Sequence, residues 1–167
     1  MRIESSRISL REIIPGQDDL NDYLIWLRDV ESNQFIKSVK SSYSLIELID
    51  YINLKNGQST SELFGIFLLT NNKMIGTIKL EPIDLIDRSA WLGILIGDND
   101  SRGKGFGKEA ITVLLDYAHA SLALNRIYLG VDPRNVSAVS LYKSIGFKPD
   151  LNQANTMFLQ LPLTARP

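Results

Sequence analysis

Between Ala90 and Leu122 the chain passes from an apolar, β-branched run, through a polar glycine-rich stretch, into an amphipathic segment. In that segment Ile111, Leu114, Leu115, Ala118 and Leu122 fall at i, i+3, i+4, i+7 and i+11. The spacing predicts a strand over Ala90–Ile96 and a helix over Glu109–Leu122. Upstream, Ile3, Ile8 and Leu10 alternate with polar residues in a first strand over Arg2–Ile13. Pro15-Gly16 turns the chain, and Asp18-Asp19 is expected to cap a helix carrying Leu20, Tyr23, Leu24, Leu27 and Val30. A second helix is expected over Ser44–Leu54, before Asn56-Gly57. Leu63–Leu69 and Lys73–Pro82 read as a hairpin turned at Asn71-Asn72, and Asp84–Asp87 turns back into the strand at Ala90. Downstream come a strand over Arg126–Val131, a helix capped by Asn135 and stopped by Gly146, and a closing strand over Thr156–Leu163. The order predicts an α/β (α+β) fold over residues 1–167 as one domain, a mixed, twisted sheet with helices on both faces.

The stretch from Gly97 to Lys108 sits where a strand hands over to a helix. Gly103, Gly105 and Gly107 let the backbone approach a ligand closely, and the first free N–H groups of the helix point at an anion. Arg102, Lys104 and Lys108 add positive charge, so a pyrophosphate fits. A Walker loop fails on spacing, because Gly105 rather than Ser or Thr follows Lys104. A dinucleotide fingerprint fails because the glycines are spaced G-x-G-x-G. Asp98, Asp100, Gly103 and Glu109 fall at positions one, three, six and twelve of a calcium loop. Arg102 at position five and a strand in place of the entering helix count against that reading. A solvated turn without ligand is the remaining alternative.

A second block changes the weighting. Arg102-Gly103-Lys104-Gly105-Phe106-Gly107 matches an Arg/Gln-x-x-Gly-x-Gly/Ala loop. It is followed by Asn135-Val136-Ser137-Ala138, Leu141-Tyr142 and Gly146-Phe147, and preceded by Ile75-Gly76-Thr77-Ile78. From Phe64 to Phe147 the chain resembles the GNAT superfamily of N-acetyltransferases, most of all the branch acting on ribosomal proteins, amino sugars and polyamines. The resemblance implies acetyl-CoA as co-substrate and a mostly antiparallel sheet splayed between Ala90–Ile96 and Arg126–Val131. It also implies pantetheine pairing with backbone groups of Leu95, Ile96 and Gly97, pyrophosphate on Gly103–Lys108, and coenzyme contacts from Arg102, Asn135, Ser137 and Tyr142. The amine attacks directly in that superfamily. The resemblance implies that Tyr142 protonates the departing thiolate and that a backbone N–H near Leu95 polarises the carbonyl. Periodicity alone places Tyr142 in the core and makes Asn135 a helix cap.

The sequence departs from the family at the base. Many relatives carry a glutamate four residues before the Leu95 donor, and here that position is Trp91. Glu81 is the candidate base from the neighbouring hairpin strand, with a water relay or a low-pKa amine as alternatives.

Composition narrows the partners. The 167 residues are 44% hydrophobic with a net charge of −1, which gives no electrostatic case for nucleic acid. No apolar run reaches membrane-spanning length and the start does not read as a signal peptide, so a cytoplasmic location is expected. The absence of cysteine excludes an acetyl-cysteine route. His119, the lone histidine, reads as structural, Tyr23 and Trp26 as packing residues, and no metal is expected. The expected partners are acetyl-CoA and an amine acceptor, an amino sugar or polyamine, with a homodimer allowed. A protein N-terminal acetyltransferase and a non-catalytic acyl-CoA-binding domain are the rival readings.

Overall fold

The computed structural model describes residues 1–29 and 43–161. Val30 and Leu163, expected at the ends of a helix and a strand, lie outside them.

Eight strands among the described residues form one sheet in the order β1-β2-β3-β4-β5-β6-β8-β7. They are β1 (Arg2–Glu4), β2 (Ile8–Arg11), β3 (Glu62–Leu68), β4 (Met74–Asp84), β5 (Ser89–Ile96), β6 (Arg126–Gly130), β7 (Lys148–Pro149) and β8 (Thr156–Gln160). All neighbours are antiparallel except β5 and β6. The helices are α1 (Asn21–Arg28), α2 (Leu45–Asn56), α3 (Phe106–Ala120) and α4 (Val136–Ile145).

Strand β3 shows why the sheet is covered twice. Leu63 and Phe67 pack with α1 and α2, through Tyr23, Trp26, Leu27, Leu48 and Ile52. Phe64 and Ile66 pack with α3, through Ile111, Leu114, Leu115 and Ala118. A strand buried on both faces reads as a continuous apolar run, which is what Leu63–Leu69 is.

Several boundaries differ from the sequence reading. The first strand is two, because Ser5 turns the chain and its N–H bonds the Ile8 carbonyl at 2.9 Å. Asp18 does not cap α1. It accepts two bonds from the Arg11 guanidinium at 3.0 and 2.7 Å and one from the Ile14 amide, and a bidentate charged partner outcompetes a cap. Asp19 accepts from the Asn21 amide at 2.9 Å, and Leu20 stands at the N-cap. Ser44 precedes α2 as its N-cap and forms a reciprocal capping box with Glu47. Helix α3 begins at Phe106, not Glu109, so Gly107 belongs to its first turn.

The sheet opens where the expectation put it. β5 and β6 pair only through Ser89–Arg126, Ala90–Ile127 and Trp91–Tyr128. At that fork the Trp91 and Tyr128 rings stack with centroids 5.5 Å apart. Beyond it β5 runs on without β6, leaving one edge of Leu92–Ile96 unpaired. Trp91 packs the apex of the gap.

Candidate active site

A cleft of about 1120 Å³ occupies the gap. Its mouth is formed by the turn into α3. Gly103 and Gly105 have φ of +69° and +84°, the left-handed region that favours glycine. The first i→i−4 bond of α3 runs from the Glu109 amide to the Gly105 carbonyl at 3.1 Å. The amides of Phe106, Gly107 and Lys108 therefore precede the ladder and face the turn. With Arg102 and Lys108 lining the same mouth, the cradle fits a polyanion such as a pyrophosphate.

The turn is braced from the other end of the chain, which sequence reasoning missed. Glu109 accepts from the hydroxyls of Ser5 (2.6 Å) and Ser6 (3.2 Å), from the Arg7 amide (2.9 Å) and from Arg7 Nε (2.7 Å). Arg7 then donates from Nη1 to the Lys104 carbonyl at 3.0 Å, and its guanidinium lies 4.5 Å from the Phe106 ring centroid. This turns Glu109 away from Asp98, whose carboxylate is held by Lys73 and Ser101. The two outer positions of the calcium-loop pattern are thus satisfied separately.

Burial pushes the Glu109 carboxyl up, but the bonds from Ser5, Arg7 and Ser6 outweigh it and leave it below the ordinary carboxylate value. A depressed folded-state pKa contributes stability that is present above the unfolded value and lost as pH falls through the folded one. Glu109→Gln should lower Tm by about 3–10 °C at pH 7. The gap from wild type should close as pH drops below about 4, in Tm measured against pH. A gap that stays constant down to pH 2 would show the charge to be irrelevant.

The wall of the cleft comes from β5 and α4. The expected set of Leu95, Ile96 and Gly97 narrows here. Gly97 donates its N–H to the Ile75 carbonyl at 3.0 Å and does not line the cleft. The Leu95 carbonyl oxygen lies 2.2 Å from where a Gly76 Cβ would stand, so Leu95 turns its polar backbone toward β4. Antiparallel alternation then faces the N–H groups of Ile94 and Ile96 to the gap. The Ile96 carbonyl already accepts from Arg102 Nε at 2.9 Å. Lys104 also lies off the cleft, with its carbonyl held by Arg7.

The remaining candidates converge. Asn135 caps α4, its Oδ1 accepting from the Ala138 amide at 3.3 Å and from the Ser137 hydroxyl at 3.2 Å, and Asn135 and Ser137 both line the cleft. Tyr142 lines it too, edge-on to Phe147 at 6.0 Å, with no hydrogen bond to its hydroxyl among the described residues. Burial raises its phenol above the ordinary value, so it is protonated at neutral pH. His119 lies outside the lining, Nδ1 3.1 Å from the Leu124 carbonyl. Trp26 is a packing residue, its indole lying flat where a Gly97 Cβ would be, 2.0 Å from Cδ2. Tyr23 is buried but does reach the cleft.

Glu81 lines the far end, in the irregularity of β4 between the Leu80–Leu92 and Ile83–Ala90 pairs, across from Trp91. Its carboxylate takes hydrogen bonds from Lys55 and from Lys79, the latter at 3.0 Å. Burial pushes its pKa up, but these bonds and the two lysine charges more than offset this and hold it below the ordinary value. Lys79 and Thr77 share its face of β4 and also line the cleft. Alternation with buried Ile78 and Leu80 was the signal that Thr77, Lys79 and Glu81 point one way.

A sheet that forks at one parallel pair, with a glycine turn and a bare helix N-terminus at the mouth of the fork, has the architecture expected of N-acetyltransferases. The chain belongs to the acetyltransferase (GNAT) domain family, whose model matches residues 7–148. The match reaches well upstream of Phe64, into the Arg7 brace. A spermidine N(1)-acetyltransferase of Vibrio cholerae is 27% identical over 93% of this chain and 87% of its own length. An uncharacterized N-acetyltransferase p20 of Bacillus licheniformis is 34% identical over 67% of this chain and 61% of its own. Among solved structures, the Vibrio cholerae spermidine N-acetyltransferase in complex with CoA and spermine superposes with a TM-score of 0.82 at 26% identity, covering 93% and 96% of the two chains.

Proposed function

We propose that this protein transfers an acetyl group from acetyl-CoA to the primary amine of a small molecule, by direct attack, with Tyr142 as general acid. The observation that carries the reading is the continuity of the cleft. One opening runs from the anion cradle at Gly103–Lys108, past the exposed edge of β5 and Tyr142, to the polar wall of Thr77, Lys79 and Glu81. A pyrophosphate on the cradle leaves the pantetheine arm to lie along that edge, with Asn135 and Ser137 flanking it.

Each chemical step has a residue to perform it. The N–H groups of Ile94 and Ile96 face the arm and take the polarising role expected of Leu95; one preorganised donor supplies about 3 kcal/mol of transition-state stabilisation. Tyr142, protonated and without a competing partner among the described residues, donates to the departing sulfur. Glu81 is ionised at neutral pH, but two ammonium partners make it a weak base. It serves best by receiving the amine's proton through water.

The acceptor belongs to the small amines, an amino sugar or a polyamine; spermidine is the acceptor of the Vibrio cholerae relatives. A protein N-terminus remains the rival acceptor. Free-thiol release from acetyl-CoA, measured over a panel of both amine types and N-terminal peptides, tests the whole reading. Turnover with a small amine is expected. Coenzyme binding with no release from any amine would make the chain a binding module instead.

A further inference from the structure

We propose that the acceptor amine carries an acidic group, a phosphate or a carboxylate, which docks on the Lys79 ammonium at the far end of the cleft. This rests on the acetyl-transfer reading and names the substrate class of the same site.

The charge balance at that end carries the inference. Lys79 projects across β5, its Cε and Cγ 3.4 and 3.5 Å from where a Gly93 Cβ would stand, so the absence of a side chain at Gly93 gives the lysine its path. The ammonium has three N–H donors and, among the described residues, one partner, Glu81 Oε2 at 3.0 Å. The other Glu81 oxygen is bonded by Lys55, which is nearly buried with 15% side-chain exposure. Two ammoniums therefore share one carboxylate, and the trio carries a net positive charge. Glu81 is the sole carboxylate among the described residues lining this end, and both its oxygens are engaged.

Among the described residues, the other groups at this end are neutral side chains such as Tyr23, Tyr51, Thr77 and Trp91. Tyr51 is pushed up to about 12 by burial and the nearby Glu81, and burial also raises Tyr23, beside Thr77. Both are neutral phenols at pH 7. A polyamine would bring several cations against a positive trio whose carboxylate is already taken. An amine with an attached acidic group meets spare Lys79 donors instead, beside neutral phenols and the Trp91 ring.

Matched pairs of amines test this with acetyl-CoA saturating: glucosamine 6-phosphate against glucosamine, and γ-aminobutyrate against butylamine, with spermidine alongside. The acidic member of at least one pair should lead by about tenfold or more in kcat/KM. The phosphate and carboxylate arms show which source the site takes. Lys79→Gln should erase the preference with acetyl-CoA affinity retained as the check on folding, and Lys79→Arg should keep it. Equal rates within both pairs, spermidine ahead of every acidic amine, or a preference that survives Lys79→Gln would overturn the proposal. If no amine is acetylated, the transfer reading fails, and calorimetry of CoA-loaded protein still reads the subsite. Binding of glucosamine 6-phosphate that Lys79→Gln abolishes supports it, and no difference from glucosamine overturns it.

Discussion

Tyr142→Phe should lower kcat by about 10²- to 10⁴-fold, or about 3–5 kcal/mol in barrier, while acetyl-CoA affinity and Tm stay close to wild type. The substitution keeps the ring against Phe147 and within the core that includes Ile145 and Leu159. It removes a hydroxyl with no hydrogen bond among the described residues, so no buried partner is orphaned and little stability is lost. Burial holds the phenol protonated, which is the state a general acid requires. Single-turnover and steady-state rates with saturating acetyl-CoA measure the effect. Full turnover in the variant would return Tyr142 to a packing role, and so would parallel losses of Tm and activity.

The second large effect is on coenzyme binding. Gly105 holds φ at +84°, where a β-branched residue is strained, and its Cβ would approach Arg7 Nη2 at 3.4 Å. Gly105→Val should weaken acetyl-CoA binding in calorimetry by roughly 30- to 1000-fold, the loss of about 2–4 kcal/mol of charge-assisted contacts. Strain in the free protein and blocked approach of the ligand both contribute to that figure. Gly107→Ala separates them. Residue 107 lies in the first turn of α3, and a methyl there would make ordinary contacts with Leu141 at 3.6 Å and Ile96 at 3.7 Å. Alanine in a helix is favoured by about 0.5–1 kcal/mol over glycine, so Tm should hold or rise. A fall in acetyl-CoA affinity then reports the ligand's close approach alone. Wild-type affinity in Gly105→Val would remove the pyrophosphate from this loop.

Much of this molecule is written locally. The apolar recurrence from Ile111 to Ala118 specifies α3, Asn135 and Gly146 bound α4, and the Asn71-Asn72 and Asp84–Asp87 turns define the β3–β4–β5 meander. The six-residue loop and the Asn135 block pointed to the family that the comparison then showed. These signals survive in a single sequence because each arises from side chains within a few residues of one another, acting on their own backbone.

What the tertiary structure decided depends on neighbours that the sequence keeps far apart. Glu109 has the position of a calcium-loop ligand but bonds residues more than a hundred places earlier. Leu95 rather than Ile96 was the expected donor, because an apolar run carries no mark of which edge each amide faces; pairing with β4 sets that. Trp91 became the wedge at the fork only through Tyr128, and Glu81 changed from a free candidate base to a doubly bonded carboxylate only through Lys55 and Lys79. By itself, then, the sequence determined most of the elements, their order and the glycine-rich turn into α3, all products of local periodicity and backbone freedom. Which amides face the gap and what charge lines its far end were decided by tertiary pairing, because edge, register and ionic partnership are relations between strands and not properties of any one of them.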